Sequence, residues 1–406
     1  MRNRLLVLIL SATLAGAAEP NWKRLLDRED WFGLRDAASA HAAPDLYAGA
    51  LAAVFHRETD AIRILRAVVA RSPMSRDADT ARTLLVDIHY RSGRYRSALA
   101  ELKPLLDRHP TRRDLLEALP LFTALSLQGD MEVVSRAPAR VPWRVVDGNL
   151  FLPVVVNGVS GEYLLDTGAN ISVLGVSEAR RLGLQVQGAG ATTKDYTGSD
   201  VAFQAAVAPE LHLGPIVLHN VPFAVVPDKQ QPFVDLPQGQ RGILGIPILL
   251  AAGTWRWSSD GNLEAGFAPA DYVKGRENLA FSGANPVLLA EFEKTPLTFH
   301  LDTGATSTDL WPPFARRYHA RLSRPGKARI GGVGGSKDIP SARLDTFDLL
   351  IAGRPIQLQN VKVLLKPVAG HPRHYGNLGL DLFEKAQRVT LDFEAMRLTV
   401  ENQENQ

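Results

Sequence analysis

The chain has 406 residues, 45% of them hydrophobic, which is enough to bury two or three cores. Lys+Arg at 46 against Asp+Glu at 43 gives a net charge of only +3; with no long basic block, this argues against a nucleic-acid or anionic-membrane partner. The lack of cysteine excludes disulfides, thiolate catalysis, cysteine-ligated zinc and a lipid-modified N-terminal cysteine.

At the N-terminus, Arg2 and Arg4 precede the apolar run Leu5 to Leu14, and Ala15-Gly16-Ala17-Ala18 supplies small residues for cleavage. This is the three-part pattern of a secretory signal peptide over residues 1–18. Its about fourteen apolar or small residues fall short of the roughly twenty that a spanning helix needs. The expectation is an exported protein, periplasmic or secreted in a bacterium, with no stable membrane span.

Residues 19–137 carry a helical pattern. Tyr47 to Pro73 and Leu84 to Pro110 superimpose with a shift of 37, placing Leu51 on Ile88, Ala61-Ile62 on Ala98-Leu99 and Pro73 on Pro110. The second unit, with Gly93-Arg94-Tyr95 between its helices and Pro110 after them, resembles a tetratricopeptide repeat, flanked by partial units at Trp31 to Pro44 and Leu121 to Pro138. Such a stack either binds a peptide or a protein partner in a groove, or only covers and positions the rest of the chain.

Ser135 to Pro142 has the composition of a linker. Beyond it the pattern turns to short strands: Phe151 to Val156, Val201 to Ala206, Ile216 to Val226 and Trp255 to Trp257, then Leu288 to Phe292, Arg343 to Ile351 and Val389 to Phe393. Brief helices fit Ser177 to Leu182, Pro313 to Tyr318 and Leu380 to Lys385. The strands divide into two mostly-β lobes, residues 138–268 and 269–402.

The lobes repeat a motif. Asp166-Thr167-Gly168-Ala169 follows Tyr163-Leu164-Leu165, and Asp302-Thr303-Gly304-Ala305 follows Leu297 to Leu301, so each aspartate sits where a strand enters a turn. Gly242-Ile243-Leu244-Gly245 ends 79 residues after Asp166, and Gly376-Asn377-Leu378-Gly379 ends 77 after Asp302. A period this long means two homologous lobes rather than a solenoid. Two carboxylates held together cannot both ionise cheaply, so they share a proton: one serves as general base on a water while the other donates to a carbonyl oxygen. Gly168 and Gly304 permit the close backbone approach by which main-chain N–H groups reach those carboxylates.

From about residue 140 to 402 the chain resembles the retropepsin-like aspartic peptidases. The resemblance implies a multidomain architecture: all-α repeats followed by two lobes forming a monomeric pseudo-dimer, an aspartic endopeptidase acting on polypeptides of the envelope or outside the cell. It makes Asp166 and Asp302 the catalytic dyad and has Thr167 and Thr303 hydrogen-bond across the lobe interface. It also passes Ile243-Leu244-Gly245 and Leu378-Gly379 behind the dyad as apolar braces. Hairpins closing over substrate are expected at Gly188 to Gly198, with Tyr196 and Gly198 as contacts, and at Gly331 to Gly335, with Gly332 and Gly334. Pepsin-like lobes carry a hydroxyl after the glycine; Ala169 and Ala305 lack it, so the dyad is expected to be less acidic and to work at mildly acidic to near-neutral pH.

Other chemistries fit poorly. Gly326-Lys327 is followed by Ala328, which breaks a phosphate-loop pattern. His371-Pro372-Arg373-His374 reads as a solvated loop, and no metal or cofactor is expected. His300, two residues before Asp302, shares its face of the strand. The alternative is a catalytically silent protease fold that works as a binding or scaffold protein through its helical repeats.

Overall fold

The computed structural model describes residues 19–126, 128–146, 148–194, 200–268, 275–323, 325–332, 335–367 and 373–402; the expected leader, 1–18, lies outside them. Seven helices come first: α1 (Trp22–Asp27), α2 (Trp31–Ala40), α3 (Asp45–Val54), α4 (Glu58–Arg71), α5 (Arg76–Arg91), α6 (Tyr95–Arg108) and α7 (Arg113–Leu125). The side chains of Asn21, Asp30 and Ser75 cap three of them, each accepting from a backbone N–H three residues on. The start of α6 is capped from a distance: Asp130 accepts from Arg96 N–H at 2.7 Å and from the Ser97 hydroxyl at 2.6 Å. The two superimposable sequence units are the pairs α3–α4 and α5–α6, and buried Ala50, Ala53, Ala61, Ala81 and Ala98 let their helices approach closely.

The helical pattern ends at Leu125 rather than at Ala137. Glu132–Ser135 is a strand, β1, and the residues read as a linker run into a second, β2 (Ala139–Pro142). β2 alternates buried Ala139 and Val141 with exposed Arg140 and Pro142. It is an edge strand, where a proline's missing N–H removes no ladder bond from a central position.

Lobe one continues with β3 (Arg144–Val146), β4 (Asn149–Val156), β5 (Val159–Leu165), β6 (Ser172–Gly175), α8 (Val176–Arg181), β7 (Gln187–Lys194), β8 (Asp200–Leu213), β9 (Ile216–Val226), β10 (Gly242–Leu244), α9 (Ile246–Ala252), β11 (Thr254–Ser258) and β12 (Asn262–Ala265). Lobe two comprises β13 (Leu279–Ser282), β14 (Asn285–Phe292), β15 (Thr295–Leu301), β16 (Asp309–Leu310), α10 (Pro312–Arg317), β17 (Gly326–Gly332), β18 (Gly335–Ile351), β19 (Arg354–Leu364), β20 (Gly376–Leu378), α11 (Asp381–Glu384), β21 (Arg388–Asp392) and β22 (Arg397–Glu401).

The duplication extends to topology. Lobe one has the strand order β9-β6-β10-β5-β4 and lobe two β19-β16-β20-β15-β14; β8 joins β9 and β4 just as β18 joins β19 and β14. β10 lies parallel to β5, the strand that delivers Asp166, and β20 lies parallel to β15, which delivers Asp302.

A third sheet, β2-β12-β11-β21-β22, is built from both lobes, with Trp255 of β11 paired to Leu391 of β21. Trp255 is fully buried there and donates its indole N–H to Leu249 O at 2.9 Å. The lobes therefore share backbone hydrogen bonds as well as a contact surface.

The helical domain packs on both lobes. Leu115, Phe122 and Leu125 of α7 enclose Ala205 of β8, and Leu121 meets an apolar cluster containing Phe151, Leu164, Phe203 and Ile243. On the other lobe, the buried Arg91 guanidinium donates to Ala53 O and lies 4.8 Å over the Phe281 ring of β13, while Glu29 accepts from Ser282 and, at 2.7 Å, from Arg373. No described helix is long and apolar enough to cross a membrane.

Candidate active site

Both aspartates leave the end of a buried strand at equivalent points. Asp166 follows β5 and donates its N–H to Leu244 O at 3.0 Å; Asp302 follows β15 and donates to Leu378 O at 2.9 Å. Each loop is thus pinned from behind by a short parallel strand, marked in the sequence by Ile243-Leu244-Gly245 in one lobe and Leu378-Gly379 in the other. Gly245 and Gly379 are required there by space: a Cβ on Gly245 would come within 2.5 Å of Ala169 O, and one on Gly379 within 2.6 Å of the Ser307 carbonyl carbon.

The two turns then lock together. Thr167 Oγ1 donates to Leu301 O at 2.8 Å and accepts from Thr303 N–H at 2.9 Å; Thr303 Oγ1 donates to Leu165 O at 2.8 Å and accepts from Thr167 N–H at 3.1 Å. Both threonines are buried. Gly168 and Gly304 face the opposite lobe's carboxylate so closely that an added Cβ would lie 2.5 Å from Asp302 Oδ1 or 2.4 Å from Asp166 Cγ. Their own N–H groups point home, to Asp166 Oδ1 at 2.7 Å and to Asp302 Oδ1 at 3.0 Å. The carboxyl groups meet at this junction: burial and then the Asp302 charge push the Asp166 carboxyl well above the usual range, and a hydrogen bond with Asp302 adds to the shift.

The site is less symmetric than its motif. Asp302 Oδ1 also accepts Ala305 N–H at 3.1 Å, as Asp166 is served by Ala169 N–H; the difference lies at Asp302 Oδ2, which accepts Asn377 Nδ2 at 2.7 Å. Asn377 occupies β20 where β10 has Ile243. Ala305 supplies no hydroxyl, as expected, but a carboxamide from the bracing strand reaches Asp302 in its place. The polar residue at 377, aligned with Ile243, was the available signal for this bond. His300 is buried on the adjoining strand, its ring centred 5.1 Å from Trp311 and 4.7 Å from His374. His374 Nδ1 lies 3.0 Å from Thr298 Oγ1, and His371 lies outside the described residues.

In both expected flap segments the described residues pair as antiparallel strands. β7 pairs antiparallel with β8, and β17 with β18, where Gly332 lies opposite Gly335. Tyr196, Gly198 and Gly334 lie outside the described residues.

The aspartyl protease family model matches the sequence twice, over residues 152–248 and 288–382, once on each lobe. The fold is similar to a retropepsin-like aspartic protease from Rickettsia conorii, 20% identical, covering 34% of this chain and 92% of that one with a TM-score of 0.24. It is also similar to the aspartic proteinase from Irpex lacteus, 16% identical, covering 66% of this chain and 97% of that one with a TM-score of 0.42. No curated protein matches the sequence. Each β-rich lobe is thus similar to the aspartyl protease family, and the chain carries an N-terminal helical region ahead of the two.

Proposed function

We propose that this protein is an aspartic endopeptidase, exported through its N-terminal leader, that hydrolyses peptide bonds of envelope or secreted polypeptides with the Asp166/Asp302 dyad. The observation that carries this reading is the meeting of two aspartates from equivalent turns, each carboxyl set against the other lobe's glycine and both turns held by reciprocal threonine contacts. Because one chain supplies both aspartates, a monomer suffices.

With one proton on the pair, the ionised carboxylate removes a proton from water as the water oxygen bonds to the scissile carbonyl carbon, and the protonated carboxyl gives its proton to the carbonyl oxygen. The product is a neutral gem-diol, and the proton has exchanged partners within the dyad. In the second half, the newly protonated carboxyl donates to the amide nitrogen, the C–N bond breaks, and a diol hydroxyl returns its proton to the other carboxylate. This releases an acid and an amine and restores the starting dyad. The helical domain serves as a recognition or docking module, a role supported by its packing on the β7–β8 hairpin.

The test is hydrolysis of casein from pH 3 to 8 by the mature chain, beside folded Asp166→Asn and Asp302→Asn variants. Cleavage by wild type with nearly complete loss in each variant supports the proposal. An inert wild type, or variants that cleave as well, sinks it and turns attention to partners of the helical domain.

A further inference from the structure

The dyad's immediate surroundings differ between lobes at three equivalent positions. In lobe one, Ile243 of β10 lies between Leu164 of β5 and Val173 of β6, all aliphatic. In lobe two, Asn377 of β20 lies between His300 of β15 and Asp309 of β16, all polar, in the same register. Leu164 and His300 each precede their aspartate by two residues, so the exchange from aliphatic to polar occurs on the strand face that continues into the carboxylate.

We propose that Asn377 is a positioning residue that fixes where the dyad's shared proton rests, keeping Asp302 ionised as the member that accepts a proton from water and leaving the proton on Asp166. A carboxamide Nδ2 has hydrogens to give and no lone pair to accept one. Facing Asp302 Oδ2 at 2.7 Å, it stabilises the carboxylate. Together with Gly304 and Ala305 on Oδ1, both Asp302 oxygens then have N–H donors. Asp166 accepts Gly168 N–H in its own turn, but the position equivalent to Asn377 in its lobe is Ile243, which has no side-chain donor to offer. Burial and then the Asp302 charge push the Asp166 carboxyl up.

Among the described residues, the other ionisable groups about Asn377 are Asp166 across the interface, Asp309 opposite it on β16, His300 paired with it on β15, and His374, whose ring is centred 4.7 Å from that of His300 at a tilt. Asp309 is held by the Trp311 indole N–H at 2.6 Å. A charge on Asp309 opposes ionisation of Asp302, whereas a charge on either histidine favours it. A neutral replacement at 377 leaves all four in place, so the effect of the amide is separable.

The assignment of the catalytic roles rests on the peptidase reading; the resting place of the proton does not. The experiment is therefore a pH titration of the full chain with ¹³C-labelled aspartate carboxyls, followed at Asp166 and Asp302 and paired with kcat/KM against pH. In wild type, the low-pH step should report mainly at Asp302. In Asn377→Leu it should move up by about one to two pH units, the usual size for losing a hydrogen bond to a charged group, and the acidic limb of kcat/KM should move the same way. In the exchange variant Ile243→Asn/Asn377→Ile the low step should pass to Asp166. If Asn377→Leu does not fold, Ile243→Asn alone, which adds a donor beside Asp166 and removes nothing from lobe two, should lower the upper step. A low step that stays put, falls, or reports at Asp166 in wild type overturns the proposal; a fall is what an amide turned to present Oδ1 would give. A wild type that titrates as expected but cleaves nothing removes the peptidase reading and leaves the proton assignment standing.

Discussion

Thr167 and Thr303 satisfy each other's polar groups completely: each hydroxyl accepts from the other's N–H and donates to the carbonyl just before the other's aspartate. Both side chains are buried, so removing one hydroxyl strands an N–H and a carbonyl with no water to replace it. An unsatisfied buried group costs about 1–3 kcal/mol. Thr167→Ala or Thr303→Ala should therefore lower unfolding free energy by about 2–4 kcal/mol. The double variant should lose less than the sum, because each hydroxyl is half of one network. Urea denaturation of the four proteins measures the coupling; strict additivity would show that the threonines act separately.

Replacing Asp166 should move stability and activity in opposite directions. Its carboxyl is raised in the folded state by burial and by Asp302. A raised carboxyl favours folding fully below the unfolded value, near pH 3.8, and that contribution is lost as pH rises through the folded value. Asp166→Asn cannot ionise. It should match wild type in thermal stability near pH 3.5 and exceed it at pH 7, while losing at least about a thousandfold in kcat/KM if the dyad acts as proposed. Thermal melts at the two pH values check the sign, and a variant less stable at pH 7 would contradict it.

The pseudo-symmetry was legible in the sequence because two homologous lobes must keep the same tight spots. Gly168, Gly304, Gly245 and Gly379 each sit where a Cβ would collide with the opposite carboxylate or with the turn behind it, so the spacing survived in both halves. The bracing strands were readable for the same reason. β1 and β2 were not, since Pro138 and Pro142 are what a linker and an edge strand have in common, and only the partner strand distinguishes them. Asn377 was visible as a letter, but its bond to Asp302 depends on the register of β20 against β15, which local pattern does not encode. Likewise, the amphipathic spacing of α7 shows that one face is buried, not that β8 covers it.

Acid should loosen the helical domain. His56 is pushed down to about 4 by burial and by the Arg91 charge, and His89 to about 4 by burial and by the Arg94 charge. A depressed histidine is neutral in both states above pH 6.5; below that the unfolded chain binds the proton first, so stability falls as pH drops toward 4 and then levels off. Each histidine contributes a loss of up to about 3 kcal/mol across that window. His89→Leu should flatten the dependence of unfolding free energy on pH between 6.5 and 4 by nearly one proton's worth. Unchanged steepness in urea titrations at five pH values would show that His89 does not report the folded state.

Helix α7 ties the N-terminal region to the β7–β8 hairpin, and two leucines on it separate that contact from mere helix surface. Leu121 packs against the cluster containing Phe203 of β8 and Ile243 behind the dyad, whereas Leu116 is 44% exposed. Leu121→Asp places a carboxylate against apolar side chains at a cost on the order of 1–3 kcal/mol; Leu116→Asp should cost almost nothing. If α7 holds the hairpin down, amide exchange across residues 200–213 should speed up by about tenfold or more in the first variant and stay level in the second, since 1.4 kcal/mol of lost local stability is a factor of ten. Exchange that accelerates only in α7 would show that β7 and β8 stand without the helix, and that binding at the helical domain has no mechanical route to them.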